Sequence, residues 1–205
     1  MQLTIVFEHW HLGDGNYRAF AVGEDARLSF ELHVDSFEVV SQEIDEQISQ
    51  VRDAEYEIVG RVIRQYGDVD SSRFPVLEAG WLRFYCPHNF APDLELGTMV
   101  RLRGVLALDH YQWVEFLEEY PNPPDLFYGL RVTRVRQVKI PERLIQRSAH
   151  GMGHPTSVGP DDYMRQQPRE VRAVGDESDG PAFSLLDVEV LPSGEGPKRP
   201  SFFAQ

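Results

Sequence analysis

The sequence predicts a mainly β protein: a small antiparallel barrel or strongly bent sheet, with one substantial helix and an irregular C-terminal segment. Three observations lead there. Between Glu55 and Pro141, apolar residues recur at every second position over several short stretches, the period of half-buried strands. Glycine- and proline-rich clusters divide these stretches, as turns require. Upstream, Phe37, Val40, Ile44, Ile48 and Val51 recur at intervals of three and four, the spacing of one helix face.

Taken in order, Leu3, Ile5 and Phe7 alternate with Thr4, Val6 and Glu8, which predicts a strand over 2–11. Gly13-Asp14-Gly15-Asn16 follows as a turn, because glycine and asparagine tolerate positive φ. Leu28, Phe30, Leu32 and Val34 give a second strand, and the helix is expected within 36–53. Asp35 and Glu38 stand at capping-box spacing, while Glu43, Glu46, Gln47 and Gln50 take the wet side. Tyr56, Ile58, Val62 and Tyr66 share a face of the next strand, with Gly60 where a barrel strand bends. Leu82, Phe84 and Cys86 point one way and Trp81, Arg83 and Tyr85 the other. Val100, Leu102, Leu106 and Leu108 alternate with Arg101, Arg103 and Val105, and Tyr111–Leu117 is expected to return as a hairpin. Residues 129–140 form a last barrel strand, broken in alternation between Val132 and Val135 as at a bulge. Residues 146–181 read as a long loop or mobile linker, Phe183–Leu191 as one more strand, and Pro192–Gln205 as a tail. The organisation expected is 1–54 as strands plus acidic helix, 55–141 as barrel, and 142–205 as loop, returning strand and tail. Five short strands with glycine bends resemble the oligonucleotide/oligosaccharide-binding barrel, a fold that hosts many activities.

The 205 residues suffice for a sizeable core, and 41% hydrophobic with 26% charged residues is a soluble composition. No apolar run approaches the roughly 20 residues that span a bilayer, so no membrane partner is expected. A single cysteine, Cys86, precludes an internal disulfide and suits a reducing cytoplasm, and 18 arginines against 2 lysines is a bacterial GC-rich bias. The net charge of −13 is concentrated in residues 1–54, which carry 11 acidic and 3 basic side chains. Such a field repels phosphate backbones and favours a basic partner.

Trp81, Arg83, Tyr85, Arg101 and Arg103 form the sharpest candidate surface. Aromatic rings and guanidiniums together stack on bases and meet phosphates, yet the same set also builds a covered, salt-bridged layer. Glu43 and Glu46 on the helix are a second candidate surface. His9 and His11, two apart on a strand, project to one face as two possible metal ligands, with Asp14 or His33 as a third. His150-Gly151-Met152-Gly153-His154 has glycines where a helix would be needed to align a ligand pair. Cys86-Pro87-His88 sets a thiol beside an imidazole, but the cysteine falls on the core side. Asp68 and Asp70 begin like a calcium loop that Arg73 and Ala79 break off. No cofactor motif is present. The residues point to a non-enzymatic protein–protein interaction module of the bacterial cytoplasm (accessory, inhibitor or immunity-type). Single-stranded nucleic-acid binding and metal-dependent catalysis through His9 and His11 are the alternatives.

Overall fold

The structure is a computed structural model that describes residues 1–13, 17–66, 74–87, 94–109, 122, 124–139, 145–147, 153–155, 168–174 and 182–192. In chain order these form β1 (Gln2–Glu8), the helical turn α1 (Trp10–Gly13), β2 (Asp25–Leu28), β3 (Phe30–Val39), β4 (Gln47–Arg52), β5 (Glu55–Tyr66) and β6 (Phe74–Ala79). There follow β7 (Leu82–Tyr85), β8 (Met99–Leu108), β9 (Tyr128–Lys139), β10 (Ile145–Arg147), β11 (Gly153–Pro155), β12 (Arg169–Val171) and β13 (Ala182–Val190). Two compact units result, Leu28–Tyr128 and Met1–Arg27 with Gly129–Gln205. No helix among the described residues is long and apolar enough to cross a membrane.

In the unit Leu28–Tyr128, five strands close into a barrel. β3 lies antiparallel to β8 from Phe30↔Leu108 to Val39↔Val100, and β8 antiparallel to β5 from Glu55↔Val105 to Arg61↔Met99. β5 continues into β6, β6 into β7, and β7 returns to β3 through the single parallel pair Glu31↔Tyr85. Period-two patterning fills the interior: Leu32, Ile58, Leu77, Leu82, Phe84, Leu102 and Leu106 are each 0% exposed. Each such side chain contributes about 1.5–3 kcal/mol by leaving water. β5 is long because it serves twice. Its first half takes β4 on one edge and β8 on the other, and its second half takes β6.

Two glycines make the bend. A Cβ on Gly60 would stand 2.8 Å from the Glu78 carbonyl oxygen, and one on Gly104 only 2.1 Å from the His33 carbonyl oxygen. Gly104 lies where β3 shifts register between Val34 and Ser36, so the bulged backbone of β3 presses onto it.

The helix expected over 36–53 is not there. Phe37 lies on β3 and Ile48 and Val51 on β4, with Ile44 in the connection between them. The intervals of three and four were satisfied by coincidence. Phe, Val and Ile favour the pleated surface, and the ladders to β8 and β5 give the backbone of β3 and β4 its partners. Asp35, the expected cap, is the bulged residue. β3 is therefore a barrel strand, although the sequence groups it with the first 54 residues.

In the second unit, β1 pairs antiparallel with β13, β13 with β9, and β9 with β12 and β2. Leu3, Ile5 and Phe7 alternate into the core as expected. The break between Val132 and Val135 is a bulge, since Asp187 faces Arg134 and Val188 faces Val132, leaving Thr133 over. Its hydroxyl donates to the Asp187 carbonyl at 2.9 Å. The first strand ends at Glu8, not His11: the chain turns there, with Leu12 N–H donating to the His9 carbonyl at 3.0 Å. The strand expected at Phe183–Leu191 is β13, and the stretch read as linker contributes β11, β12 and part of β10. The Tyr111–Leu117 hairpin, the Asp68–Asp70 loop, His88 and His150 lie outside the described residues.

We expect Gly104→Ala to abolish folding or to cost on the order of 4 kcal/mol, and Gly60→Ala roughly 1–3 kcal/mol, in equilibrium urea unfolding. Equal, small effects at both positions would contradict the close backbone approach.

Candidate functional site

The five residues of the candidate Trp/Arg/Tyr surface fall into two groups. Tyr85 is level with Glu31 across the parallel seam, so Arg83 is level with Ser29. Arg103, by contrast, faces Ser36 and Arg101 faces Glu38. Around the other side of the ring Arg83 faces Glu78, Glu78 faces Arg61 and Arg61 faces Met99, so β7 and β8 are separated by β6 and β5 on one side and by β3 on the other. The alternation was read correctly, but strands that share a pattern need not share an edge.

Each arginine of the set is already held by carboxylates. Arg83 Nε meets Glu78 Oε2 at 2.5 Å, and Arg103 Nη2 meets Glu55 Oε1 at 2.6 Å. Arg101 pairs with Glu38 and stands 3.9 Å from Glu57. Trp81 packs edge-on against Tyr128 with ring centroids 6.0 Å apart, and Tyr128 Oη accepts the Arg83 backbone N–H at 2.6 Å. The outer face of β5–β6–β7 carries Tyr66, Phe74, Val76 and Tyr85 as one apolar cluster with Leu126, flanked by Ile63 and Phe127. This face is closed by the chain's own 126–127 segment.

Tyr85 is wholly buried, and its hydroxyl sits between two carboxylates, 2.7 Å from Glu31 Oε2 and 2.5 Å from Asp109 Oδ1. Ser29 Oγ donates to Asp109 Oδ2 at 2.8 Å, and His33 Nε2 lies 2.7 Å from Glu31 Oε1. Glu31 and Asp109 are 1% and 0% exposed. Burial, then the charges of Asp109 and Glu31, push the Tyr85 hydroxyl well above its ordinary range, so it acts as a donor. Sequence reasoning missed this node. Glu31 and Asp109 read as ordinary polar positions, and only the closed ring brings them together.

His9 and His11 are both buried, in the turn and helix after β1 and not on a shared strand face. His9 Nε2 lies 2.8 Å from Ser184 Oγ, a partner 175 residues away that no local pattern could announce. His11 packs edge-on to Phe7 at 5.4 Å and beside Tyr17 at 5.8 Å. Burial lowers the His9 pKa and keeps the ring neutral. A Ser–His contact is the start of a nucleophile, but Ser184 and His9 are 0% and 1% exposed, closed to a substrate. Among the described residues no group of three or more His, Cys, Asp or Glu side chains is placed to hold a metal ion. Cys86 is buried, and burial followed by the Glu31 charge pushes its thiol well up.

One end of the barrel is chemically different. Beyond the seam β3 runs on to Phe37 and Val39, 46% and 62% exposed. Val40 N–H donates to the Met99 carbonyl at 2.9 Å, and Gln42 Nε2 to the Gly97 carbonyl at 2.9 Å. These bonds bring residues 40 and 42 against the 97–99 segment; Ile44 (37% exposed) and Leu96 (66% exposed) flank them in the chain. Glu43, Asp45 and Glu95 are exposed beside them in the chain, while Glu38, also exposed, alternates to the other face of β3 and pairs with Arg101. Glu43 is thus on an outer loop. Glu46 is turned inward to structure: its carboxylate accepts Gly80 N–H at 2.7 Å and meets Arg61 Nε at 3.5 Å.

Comparison of the chain with protein-family models, with curated proteins and with solved structures gives no match.

Two measurements check these readings. Alkylation of native Cys86 at pH 7.5 is expected at least about tenfold slower than that of a free cysteine, becoming ordinary only on unfolding. Because the folded pKa of His9 is lowered, its contribution is present above the free-histidine value near 6.5 and is lost as pH falls below it. Wild-type stability should therefore drop below about pH 6.5 more steeply than that of His9→Asn. Parallel curves would assign the acid sensitivity elsewhere.

Proposed function

We propose that the protein is a non-enzymatic protein–protein interaction module whose contact surface is the apolar, acid-ringed end of the barrel. The observation that carries this reading is the exposure of Phe37, Val39, Ile44 and Leu96 on the end of β3 and on two connections hydrogen-bonded to each other, with Glu43, Asp45 and Glu95 exposed beside them in the chain. Large apolar side chains gathered on one exposed surface cost solubility unless a partner covers them. An acidic collar favours a partner that is basic around an apolar centre, and the chain-wide charge of −13 steers such a partner at long range. A role as accessory, inhibitor or immunity-type partner in a bacterial cytoplasm fits this chemistry.

We also read the barrel as of oligonucleotide/oligosaccharide-binding type. Its ring β3-β7-β6-β5-β8, with one parallel contact and four antiparallel ones, matches that fold's ring with the chain entering one strand earlier. In that correspondence β6 and β7 supply the face such barrels use for ligands. Here Leu126 and the flanking Phe127 pack against it, and Arg83, Arg101 and Arg103 are each held by a carboxylate. Both facts weigh against single-stranded nucleic acid as the ligand, and among the described residues no third ligand stands beside His9 and His11 to make a metal site.

A photo-crosslinking side chain placed at position 39 or 96 of the full chain, in cells of its source, should capture one basic protein. Capture should fall at least about tenfold when Val39→Asp or Leu96→Asp is combined with the probe at the other position. A probe at the exposed Arg64 is the control. Equal capture from all three positions, or none, would reject the surface.

A further inference from the structure

Glu31↔Tyr85 is the pair through which β7 closes the barrel onto β3, and the same two side chains meet in the buried node with Asp109 and Ser29. A phenol carries one hydrogen. The Tyr85 oxygen nevertheless lies 2.7 Å from Glu31 Oε2 and 2.5 Å from Asp109 Oδ1, both within hydrogen-bond distance. If both carboxyl groups were ionised, each would be acceptor only, and one of these two approaches would set oxygen against oxygen without a proton. We propose that Glu31, Tyr85 and Asp109 together hold one proton beyond the tyrosine's own, and that this proton keeps the barrel seam closed. The phenol then donates to one carboxylate and accepts from the other carboxyl as an acid, so both short approaches become hydrogen bonds. The proton belongs to the pair, not to either carboxyl alone, as coupled acids require.

The surroundings favour the protonated pair. The two carboxyls are 1% and 0% exposed, and two ionised carboxylates that both meet one phenol oxygen out of water repel each other. Among the described residues, the other titratable or charged groups at or beside the node are these. His33 on β3 meets Glu31 Oε1 at 2.7 Å, and its ring is 42% exposed, which gives the node a route to solvent. Cys86 follows Tyr85 in the chain and feels the Glu31 charge. Tyr66 on β5 shares the Tyr85 apolar cluster, and the Arg64 guanidinium stands 5.8 Å over the Tyr66 ring. Free carboxyls lose their protons near pH 4. The folded chain therefore binds one proton more than the unfolded chain above that pH, and stability must decline as pH rises until the pair ionises.

The test is infrared spectroscopy of the full chain at pH 7, where ordinary carboxyls are ionised. The expected result is the carbonyl stretch of a protonated carboxylic acid, lost in Glu31→Gln and in Asp109→Asn and retained in His33→Asn. Glu31→Gln should fold, because its amide N–H replaces the acid proton facing the phenol, and its stability should lose the alkaline decline of the wild type. A wild-type spectrum without that stretch at pH 7 overturns the proposal, as does a stretch that survives both substitutions. If neither variant folds, titrating the wild-type spectrum decides: loss of the stretch over the pH range in which stability declines supports the shared proton, and loss outside that range overturns it.

Discussion

The barrel depends on one backbone contact. Four of its five joints are antiparallel ladders of several residue pairs, but β7 and β3 meet at a single parallel pair, Glu31↔Tyr85. Parallel pairing is the weaker kind, and one pair supplies little by itself. Side chains complete what the ladder leaves short. Tyr85 spans from the apolar cluster on the outer face to the Glu31 and Asp109 carboxyls, while Ser29 ties Asp109 back to β3. Asp109 N–H also donates to the Ser29 carbonyl at 3.1 Å, so the end of β8 is held from backbone and side chain together.

The position of the seam explains why the rest of β3 differs from its start. Up to Leu32 the strand has a neighbour on both edges and is buried. Past the bulge at Asp35 it pairs only with β8 among the described residues, and its side chains become exposed. Phe37 and Val39 still keep the inward alternation of a barrel strand, because they face Leu102 and Val100 in the ladder. They are core-type residues on a stretch that has run out of barrel. An apolar surface at this end follows from strand length exceeding ring height. No separate motif had to encode it.

Period-two patterning was legible wherever a strand has one wet face. The bends at Gly60 and the bulge at Thr133 were legible too, the first as a glycine inside a strand pattern and the second as broken alternation. The helix reading over 36–53 failed because a bulge and a loop break the two-residue period there. What remains by chance imitates intervals of three and four. The candidate surface spans two unpaired strands for a different reason: alternation sorts residues to a face, while ring order decides which strands are neighbours, and β7 and β8 do not pair. Ring order rests on Glu31↔Tyr85 and on pairings across dozens of residues, which no window along the sequence contains. Ser184 beside His9 is invisible on the same grounds.

The acidic collar around Phe37, Val39, Ile44 and Leu96 constrains what covers them. Two copies of this end brought face to face would oppose Glu43, Asp45 and Glu95 to themselves, and like charges in a closing, desolvating contact cost several kcal/mol. In the proposed role, such acids would act against self-association while leaving the apolar centre available to a partner of opposite charge. The paired arginines sharpen this selectivity. Arg101 and Arg103 on β8 are held by Glu38, Glu57 and Glu55, so they do not offer free positive charge to a second acidic surface. In the proposed role, a basic, apolar-centred protein is the occupant whose chemistry matches both the greasy centre and its rim.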